Sequence, residues 1–326
     1  MASPIILKFG GTSVGDAAAC ERVAGIVRSH GGARPVVVVS AMSGMTDALL
    51  ATLSAAAQGR ADALDDLRPL LERHRAVAQR LLAPDAATGF QTHLDGAERA
   101  LSDVLRRVKQ TPSSPSTPAR AALYDEGVAF GEQLAATLLT AVLAARGLPA
   151  RYVDARRCVV TDETHGAAVP LFPDTERHTR DELVPLLEGG SVPVLGGYIA
   201  ATRSGATSTL GRGGSDYSAA LVGAALGAAE IQIWTDVSGV LTADPRIVKG
   251  ARTIPRLSYA EAAELAYFGA KVLHPRTIQP ALDRCIPVRI CNSHVPDEPG
   301  TLVTAEADVW PETVKAIAHK RGITIV

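Results

Sequence analysis

Along this chain, short continuous apolar runs alternate with stretches in which apolar residues recur every three or four positions. The first pattern predicts buried strands and the second amphipathic helices. Ile5-Ile6-Leu7 is an apolar run of the kind a buried parallel strand needs. Lys8 closes it, Gly10-Gly11-Thr12-Ser13 follow, and Cys20, Val23, Ala24 and Val27 then recur at helical spacing until Gly31-Gly32 stop the helix. Pro35-Val36-Val37-Val38-Val39 is a second buried strand, completing a β-α-β unit and implying a parallel sheet. It ends in Ala41-Met42-Ser43-Gly44-Met45-Thr46-Asp47, a second small-residue turn that opens a helix. Both turns fall at the carboxyl edge of the sheet, where open α/β folds bind their ligands.

Residues 48–108 carry Ala, Leu, Arg and Asp without a strand signal and predict two or more helices, and 111–118, rich in Ser, Thr and Pro, predict a loop. A long helix is expected over 119–145, a strand over 151–154, a hairpin over 158–169 and a helix over 180–187. Residues 191–199 read as one further buried strand. A glycine-rich loop over 207–217 leads into an Ala/Leu helix ending near Gly227, and 230–237 is a strand closed by a hydroxyl and a carboxylate. A helix near Tyr259–Tyr267, strands over 288–291 and 301–303, and the opening of a new strand-like pattern over 315–326 complete the chain.

Composition narrows the class. Hydrophobic residues at 47% and charged residues at 21% suit a globular protein with a large core, and aromatics at 4% leave that core to Ala, Val, Leu and Ile. A formal net charge of −1 gives no reason to expect nucleic acid or a membrane surface as partner. Cys20, Cys158, Cys285 and Cys291 form no C-x-x-C pair, and no histidine stands at metal-ligand spacing, so reduced thiols and no protein-bound metal cluster are expected. No leader pattern and no uninterrupted apolar run of ~18 residues is present, so the expected location is cytoplasmic.

Strand, glycine turn and helix N-terminus, with Lys8 at the junction, is an arrangement that presents backbone N–H groups and a positive charge to a phosphate. Common nucleotide motifs do not account for it. Gly10 and Gly15 have P-loop spacing, but Asp16 follows and the lysine precedes the loop; Gly211-Arg212-Gly213 begins a dinucleotide fingerprint, but Asp216 takes the third glycine position. Protein-kinase signatures are also missing.

Four blocks in order do carry a resemblance. Lys8-Phe9-Gly10-Gly11-Thr12-Ser13-Val14, Gly211-Arg212-Gly213-Gly214-Ser215-Asp216, Trp234-Thr235-Asp236-Val237 and Phe268-Gly269-Ala270-Lys271-Val272-Leu273-His274-Pro275 resemble the signatures of aspartate kinases, members of the amino-acid-kinase superfamily. The resemblance runs to about Val303. It implies an α/β fold, a three-layer α/β/α sandwich with a mainly parallel central sheet. A catalytic domain would span 1–306, with a substrate lobe over about 1–200 and a nucleotide lobe over about 201–306. Residues 307–326 resemble the start of a C-terminal ACT regulatory region. The implied reaction is transfer of the ATP γ-phosphoryl group, with Mg²⁺, to the β-carboxylate of L-aspartate, the entry to lysine, threonine and methionine synthesis.

The chemistry suits the residues. A β-carboxylate with a reference pKa of ~3.9 is already ionised at neutral pH and needs no general base. Catalysis then rests on positioning and on neutralising two anions that repel each other. Carried over residue by residue, the resemblance implies that Lys8 and Asp216 are catalytic, Lys8 bridging the transferring phosphoryl group and Asp216 orienting it and helping to organise Mg²⁺. Arg212 would grip the α-carboxylate, Glu132 would receive the α-ammonium, and Thr46, Ser40 and Ser215 would donate hydroxyls to the substrate carboxylates. Gly10, Gly11, Thr235, Asp236, Arg246 and Lys271 would join Lys8 at the nucleotide. Leu241 stands where relatives commonly have tyrosine and is left out of that set, and His274, followed by Pro275, is expected to be structural.

The resemblance also admits a homodimer, and fusion to or loss of ACT domains. The chain is expected to be an isolated or shortened catalytic domain, or part of a fusion enzyme, without inhibition of its own by lysine or threonine. Three alternatives stay open: a kinase of glutamate, acetylglutamate or carbamate, a nucleotide-binding module without activity, and a dinucleotide-dependent oxidoreductase.

Overall fold

The computed structural model describes residues 3–111, 118–267, 275–307 and 314–317. The opening run forms strand β1 (Ile5–Phe9) and the valine run forms β2 (Pro35–Val39), joined by helix α1 (Ala17–Ser29). Asp16 caps α1, its carboxylate accepting from the Ala19 N–H at 2.8 Å. Helices α2 (Met45–Ala57), α3 (Arg68–Leu81), α4 (Pro84–Gln110) and α5 (Pro118–Ala145) follow. The next elements are β3 (Ala150–Val153), β4 (Val160–Thr161), α6 (Phe172–Glu188), β5 (Val192–Gly196), β6 (Ile199–Thr202) and β7 (Thr207–Thr209). The chain continues through α7 (Gly214–Leu226), β8 (Glu230–Thr235), β9 (Arg256–Ser258), α8 (Tyr259–Tyr267), α9 (Pro275–Asp283), β10 (Val288–Asn292) and β11 (Thr301–Thr304).

The main sheet has eight strands in the order β3-β5-β2-β1-β8-β10-β11-β9. All neighbours pair in parallel except β10 and β11. A smaller sheet has the order β4-β6-β7. Alternation along the central strands divides the core into two layers, since successive side chains point to opposite faces. Ile5, Leu7, Phe9, Val37 and Val39 pack with α1 to α5, whereas Ile6, Val36, Val38, Ile231 and Ile233 pack with α6, α7, α8 and α9. The result is the three-layer α/β/α sandwich expected from the sequence. α5 is apolar enough by length and composition to cross a bilayer, yet 61% of its most apolar window is buried within the fold.

One expectation changes and a second is refined. Residues 191–199 are not one strand: β5 ends at Gly196, and Tyr198, at φ 67, turns the chain so that β6 joins the smaller sheet. A non-glycine residue in the left-handed region is uncommon and marks an over-determined turn. The expected hairpin over 158–169 is a minimal one: a two-residue strand pairs in parallel with β6 and folds back through a single antiparallel bridge, Thr161 with Pro170, closed by the Asp162 N–H donating to Val169 O at 2.9 Å.

The connectivity also sets a switch point. From β1 the chain moves through α1 to β2 on one side, whereas from β8 it proceeds to β10 on the other. β1 and β8 are direct neighbours, Phe9 opposite Trp234. A crevice outside the carboxyl ends of such a pair is the general ligand site of open α/β sheets.

Candidate active site at the carboxyl edge of the sheet

Just past its last residue, each of these strands leaves a turn tied to its neighbour. The Gly10 N–H donates to Trp234 O (3.1 Å), Ser40 N–H to Phe9 O (3.0 Å), Gly197 N–H to Val39 O (2.8 Å) and Ser293 N–H to Thr235 O (2.8 Å). These turns are thereby held in one row across the switch point.

Gly11 shows why the first turn needs a residue without a side chain. A Cβ there would lie 2.5 Å from Ala41 O and 3.1 Å from Ser43 N. The sequence pointed to close approach of a phosphate; what the structure places against Gly11 is the backbone of the second turn. Gly10 is the more open of the two, with Trp234 O at 3.7 Å and Lys8 Nζ at 3.9 Å from a Cβ built there. Arg73 on α3 fastens the same two turns together, donating to Ser43 O at 2.9 Å and to Gly15 O at 3.0 Å.

Lys8 lies on the α7 side of β1 and is 8% exposed. Its Nζ is 2.6 Å from Asp216 Oδ1. Asp216 occupies the first turn of α7; Gly213, at φ 73, takes the N-cap position, so the Asp216 carboxylate serves Lys8 and not the helix end. A buried ammonium without its carboxylate would be an uncompensated charge, which is why the two residues form a unit. The amide N–H groups and positive dipole end of α7 lie beside the pair, an environment suited to anionic phosphate.

Glu132 reaches the same edge from α5. Its Oε1 accepts from the Ala41 N–H at 3.4 Å, at the start of the turn after β2. Gly196 at the end of β5 rests on it, because a Cβ there would lie 2.9 Å from Glu132 Cβ. Glu132 is 3% exposed and its Oε2 has no hydrogen-bond partner. Burial pushes its carboxyl up to about 8, against an ordinary value of 4.5. Native proteins seldom leave a buried carboxyl oxygen unpaired without cause, and a cationic ligand group would satisfy it.

The remaining expected residues divide into groups. Arg212 is exposed on the turn between Gly211 (φ 72) and Gly213 (φ 73), conformations that favour glycine and project the arginine from the loop. Ser215 is half-buried in the first turn of α7 and packs against Gly197, where a Cβ would lie 2.7 Å from its Cα. Thr46 is half-buried in the first turn of α2, and Ser40 lies in the turn after β2. Thr235 and Asp236 sit at the end of β8 next to Gly10, the Thr235 hydroxyl donating to Asp236 Oδ1 at 3.2 Å. Arg246 stands apart: its side chain is 83% exposed and paired with Asp244 at 2.7 Å, so reaching a phosphate requires that local pair to open. Leu241 forms an isolated antiparallel bridge with Thr253. Lys271 and the block from Phe268 to His274 lie outside the described residues, as does most of the 307–326 region.

Sequence reasoning missed Ser293. Its hydroxyl donates to Thr235 O at 3.1 Å and meets the Ser13 hydroxyl at 2.9 Å, binding the ends of β8 and β10 to the first turn. The available signal was a small polar run, Asn292-Ser293-His294, directly after a buried strand. The donor set also fits Mg²⁺. That ion takes one or two carboxylates together with phosphate oxygens in preference to an all-protein cage, and Asp216 offers such a carboxylate beside Lys8. Among the described residues no cluster of three or more protein metal ligands exists.

Comparison with known proteins agrees with this geometry. The amino acid kinase family model matches residues 3–292. The chain is 38% identical to lysine-sensitive aspartokinase 3 of Escherichia coli over 329 residues, covering 100% of this chain and 69% of that protein. It is also 38% identical to chloroplastic aspartokinase 2 of Arabidopsis thaliana, covering 98% of this chain and 58% of the relative. The crystal structure of E. coli aspartokinase III in complex with aspartate and ADP superposes with a TM-score of 0.83 at 36% identity, over 94% of this chain and 65% of that one. With its fold, its Lys8–Asp216 pair and these similarities taken together, the chain belongs to the amino acid kinase family and, within it, to the aspartokinases.

Proposed function

We propose that this chain transfers the γ-phosphoryl group of ATP to the β-carboxylate of L-aspartate, giving 4-phospho-L-aspartate, in the cytoplasm and as the first step toward lysine, threonine and methionine. The observation that carries the reading is the buried Lys8–Asp216 pair at the β1/β8 switch point, with the bare oxygen of Glu132 at the same sheet edge. The nucleotide lobe is read as the β8-β10-β11-β9 side of the seam and the acceptor lobe as the β1-β2-β5-β3 side.

In this reading Lys8 moves from Asp216 toward the transferring phosphoryl oxygens and offsets their charge as the acceptor anion approaches. Asp216 keeps Lys8 aimed and would offer a carboxylate oxygen to Mg²⁺, which when bound would neutralise phosphate charge. Glu132 takes the α-ammonium and Arg212 the α-carboxylate through its planar fork. Ser215 and Thr46 add hydroxyl donors. No residue is required to shuttle a proton, because the attacking carboxylate is ionised at neutral pH.

Trapping with hydroxylamine tests the reaction. With L-aspartate, ATP and Mg²⁺ the hydroxamate of the acyl phosphate is expected to accumulate with time, and glutamate or carbamate in place of aspartate should give little. Lys8→Ala should lower kcat by about 100-fold or more with the circular dichroism spectrum preserved. Hydroxamate formation with glutamate but not aspartate would overturn the substrate, and an undiminished Lys8→Ala enzyme would overturn the mechanism.

A further inference from the structure

A second buried carboxylate on α5 has no role in the scheme above. Asp125 is 2% exposed and lies seven residues, two helical turns, before Glu132, so both carboxylates face the same side of the helix. Its partners come from two separate segments, the 165–166 loop and the end of β7. The Thr209 hydroxyl at the end of β7 donates to Oδ1 at 2.6 Å, and the Gly166 N–H donates to Oδ1 and Oδ2 at 3.1 and 3.0 Å. His165 Nδ1 lies 2.8 Å from Oδ2, which fixes the tautomer with a proton on that nitrogen.

What these contacts hold in place is the acceptor side of the site. The loop carrying His165 and Gly166 backs the arginine turn, since a Cβ on Gly211 would lie 3.1 Å from Ala167 Cβ and 3.3 Å from Gly166 O. The Ala168 N–H donates to Thr209 O at 2.8 Å, tying that loop to β7. Thr209 also pairs with Ile199 across the smaller sheet, and the next N–H, of Leu210, donates to Tyr198 O at 2.9 Å, so the segment anchored on Asp125 holds Tyr198 as well. Tyr198 in turn packs on the start of α7, where a Cβ on Gly214 would lie 2.6 Å from its Cδ2. One route therefore runs from Asp125 through the loop to Gly211 and Arg212, and another through Thr209 and Tyr198 to the start of α7 and, through nearby Gly196, to Glu132.

We propose that Asp125 is a positioning residue for the amino-acid acceptor: without touching substrate, it holds the Arg212 turn and Tyr198 in register with Glu132. The proposal rests on the reading of Glu132 and Arg212 as the acceptor's ligands. The carboxylate form matters because it accepts every one of these hydrogen bonds at once, and charge-assisted bonds are about twice as strong as neutral ones. An asparagine at this position fits the space but offers one acceptor oxygen and an NH₂ that faces other donors. The nucleotide-side turns at Gly10 and Thr235 lie outside these contacts, so the effect is confined to one substrate.

Steady-state kinetics with L-aspartate and ATP varied independently, alongside thermal melts, tests this for Asp125→Ala, Asp125→Asn and Thr209→Val. Asp125→Ala should raise KM for L-aspartate by about tenfold or more while KM for ATP stays within about twofold. Asp125→Asn should recover part of the loss, and Thr209→Val should raise only KM for L-aspartate, by less. Should Asp125→Ala fail to fold, Thr209→Val, which removes one arm of the network, carries the same expected selectivity. A folded variant with KM for L-aspartate unchanged, or with both KM values raised alike, overturns the proposal and leaves Asp125 a purely structural residue. Wild-type turnover of L-aspartate is the internal standard: its absence removes the functional reading and this proposal together, whereas turnover with unselective variants removes only this one.

Discussion

Glu132 is the residue at which charge, burial and function meet. Its raised pKa of about 8 comes from desolvation, with the Ala41 N–H working in the opposite direction. In the free protein at neutral pH the group is therefore mostly protonated, and accepting a substrate ammonium requires that proton to leave. KM for L-aspartate should fall as pH rises toward about 8 and level off above it, because the ammonium of the amino acid stays protonated through that range. Isothermal titration in buffers of different ionisation enthalpy should record proton release on binding near neutral pH. A flat KM profile between pH 6.5 and 8.5 would show that the α-ammonium binds elsewhere. Linkage gives a second expectation of opposite direction. The unfolded chain releases the proton near 4.5 and the folded one only near 8, so stability should decline with pH across that window. Urea midpoints for Glu132→Gln should lack that decline. Nothing in the sequence around Glu132 distinguishes it from a solvated glutamate in an alanine-rich helix; its burial is created by Ala41 and Gly196 arriving from two strands distant in sequence.

The informative elements are the turns. The glycine pair after β1 was legible, but the reason for Gly11 was not: its missing side chain makes room for the turn after β2, and only a phosphate had been in view. Gly11→Ala should therefore force the two turns apart, lowering stability by about 1–3 kcal/mol and kcat by more than that loss explains. Chemical denaturation and turnover measured on the same preparation separate the two, and a fully active, equally stable variant would show that the contact relaxes freely. The helix over Tyr259–Tyr267 and the strand over 288–291 could be read from periodicity because each buries one side regularly. The break at Tyr198 could not, since the apolar pattern continues from Val192 through Ile199 in the sequence and a change of sheet leaves no mark on such a pattern. β9 was also missed, three residues being too few to show any period.

At the scale of the molecule, one sheet joins what the sequence suggests are two lobes. β1 from the first portion pairs along its whole length with β8 from the second, Ile5 opposite Glu230 through Phe9 opposite Trp234. The cores on the two faces share these strands, with Leu7 on one side and Ile6 on the other, both fully buried. Leu7→Ala and Ile6→Ala should each cost about 2–5 kcal/mol and shift a single cooperative transition. Calorimetry resolving two transitions, only one of them moved by each substitution, would show that the lobes fold independently. The chain spans 69% and 58% of the E. coli and Arabidopsis relatives, so regulation seen in such longer proteins is a question for the whole polypeptide.

By itself the sequence determined the class of fold, the two turns at one sheet edge, and the chemistry of Lys8, Arg212 and Asp216. These are local properties: periodicity reports which face is buried, and glycine beside charge reports where a backbone must turn toward an anion. Tertiary structure alone decided that Lys8 meets Asp216, that Glu132 is buried with one oxygen bare, and that Asp125 gathers two distant segments behind the arginine turn. Each joins residues 40 or more positions apart in sequence, and such distances close only when strands and helices pack.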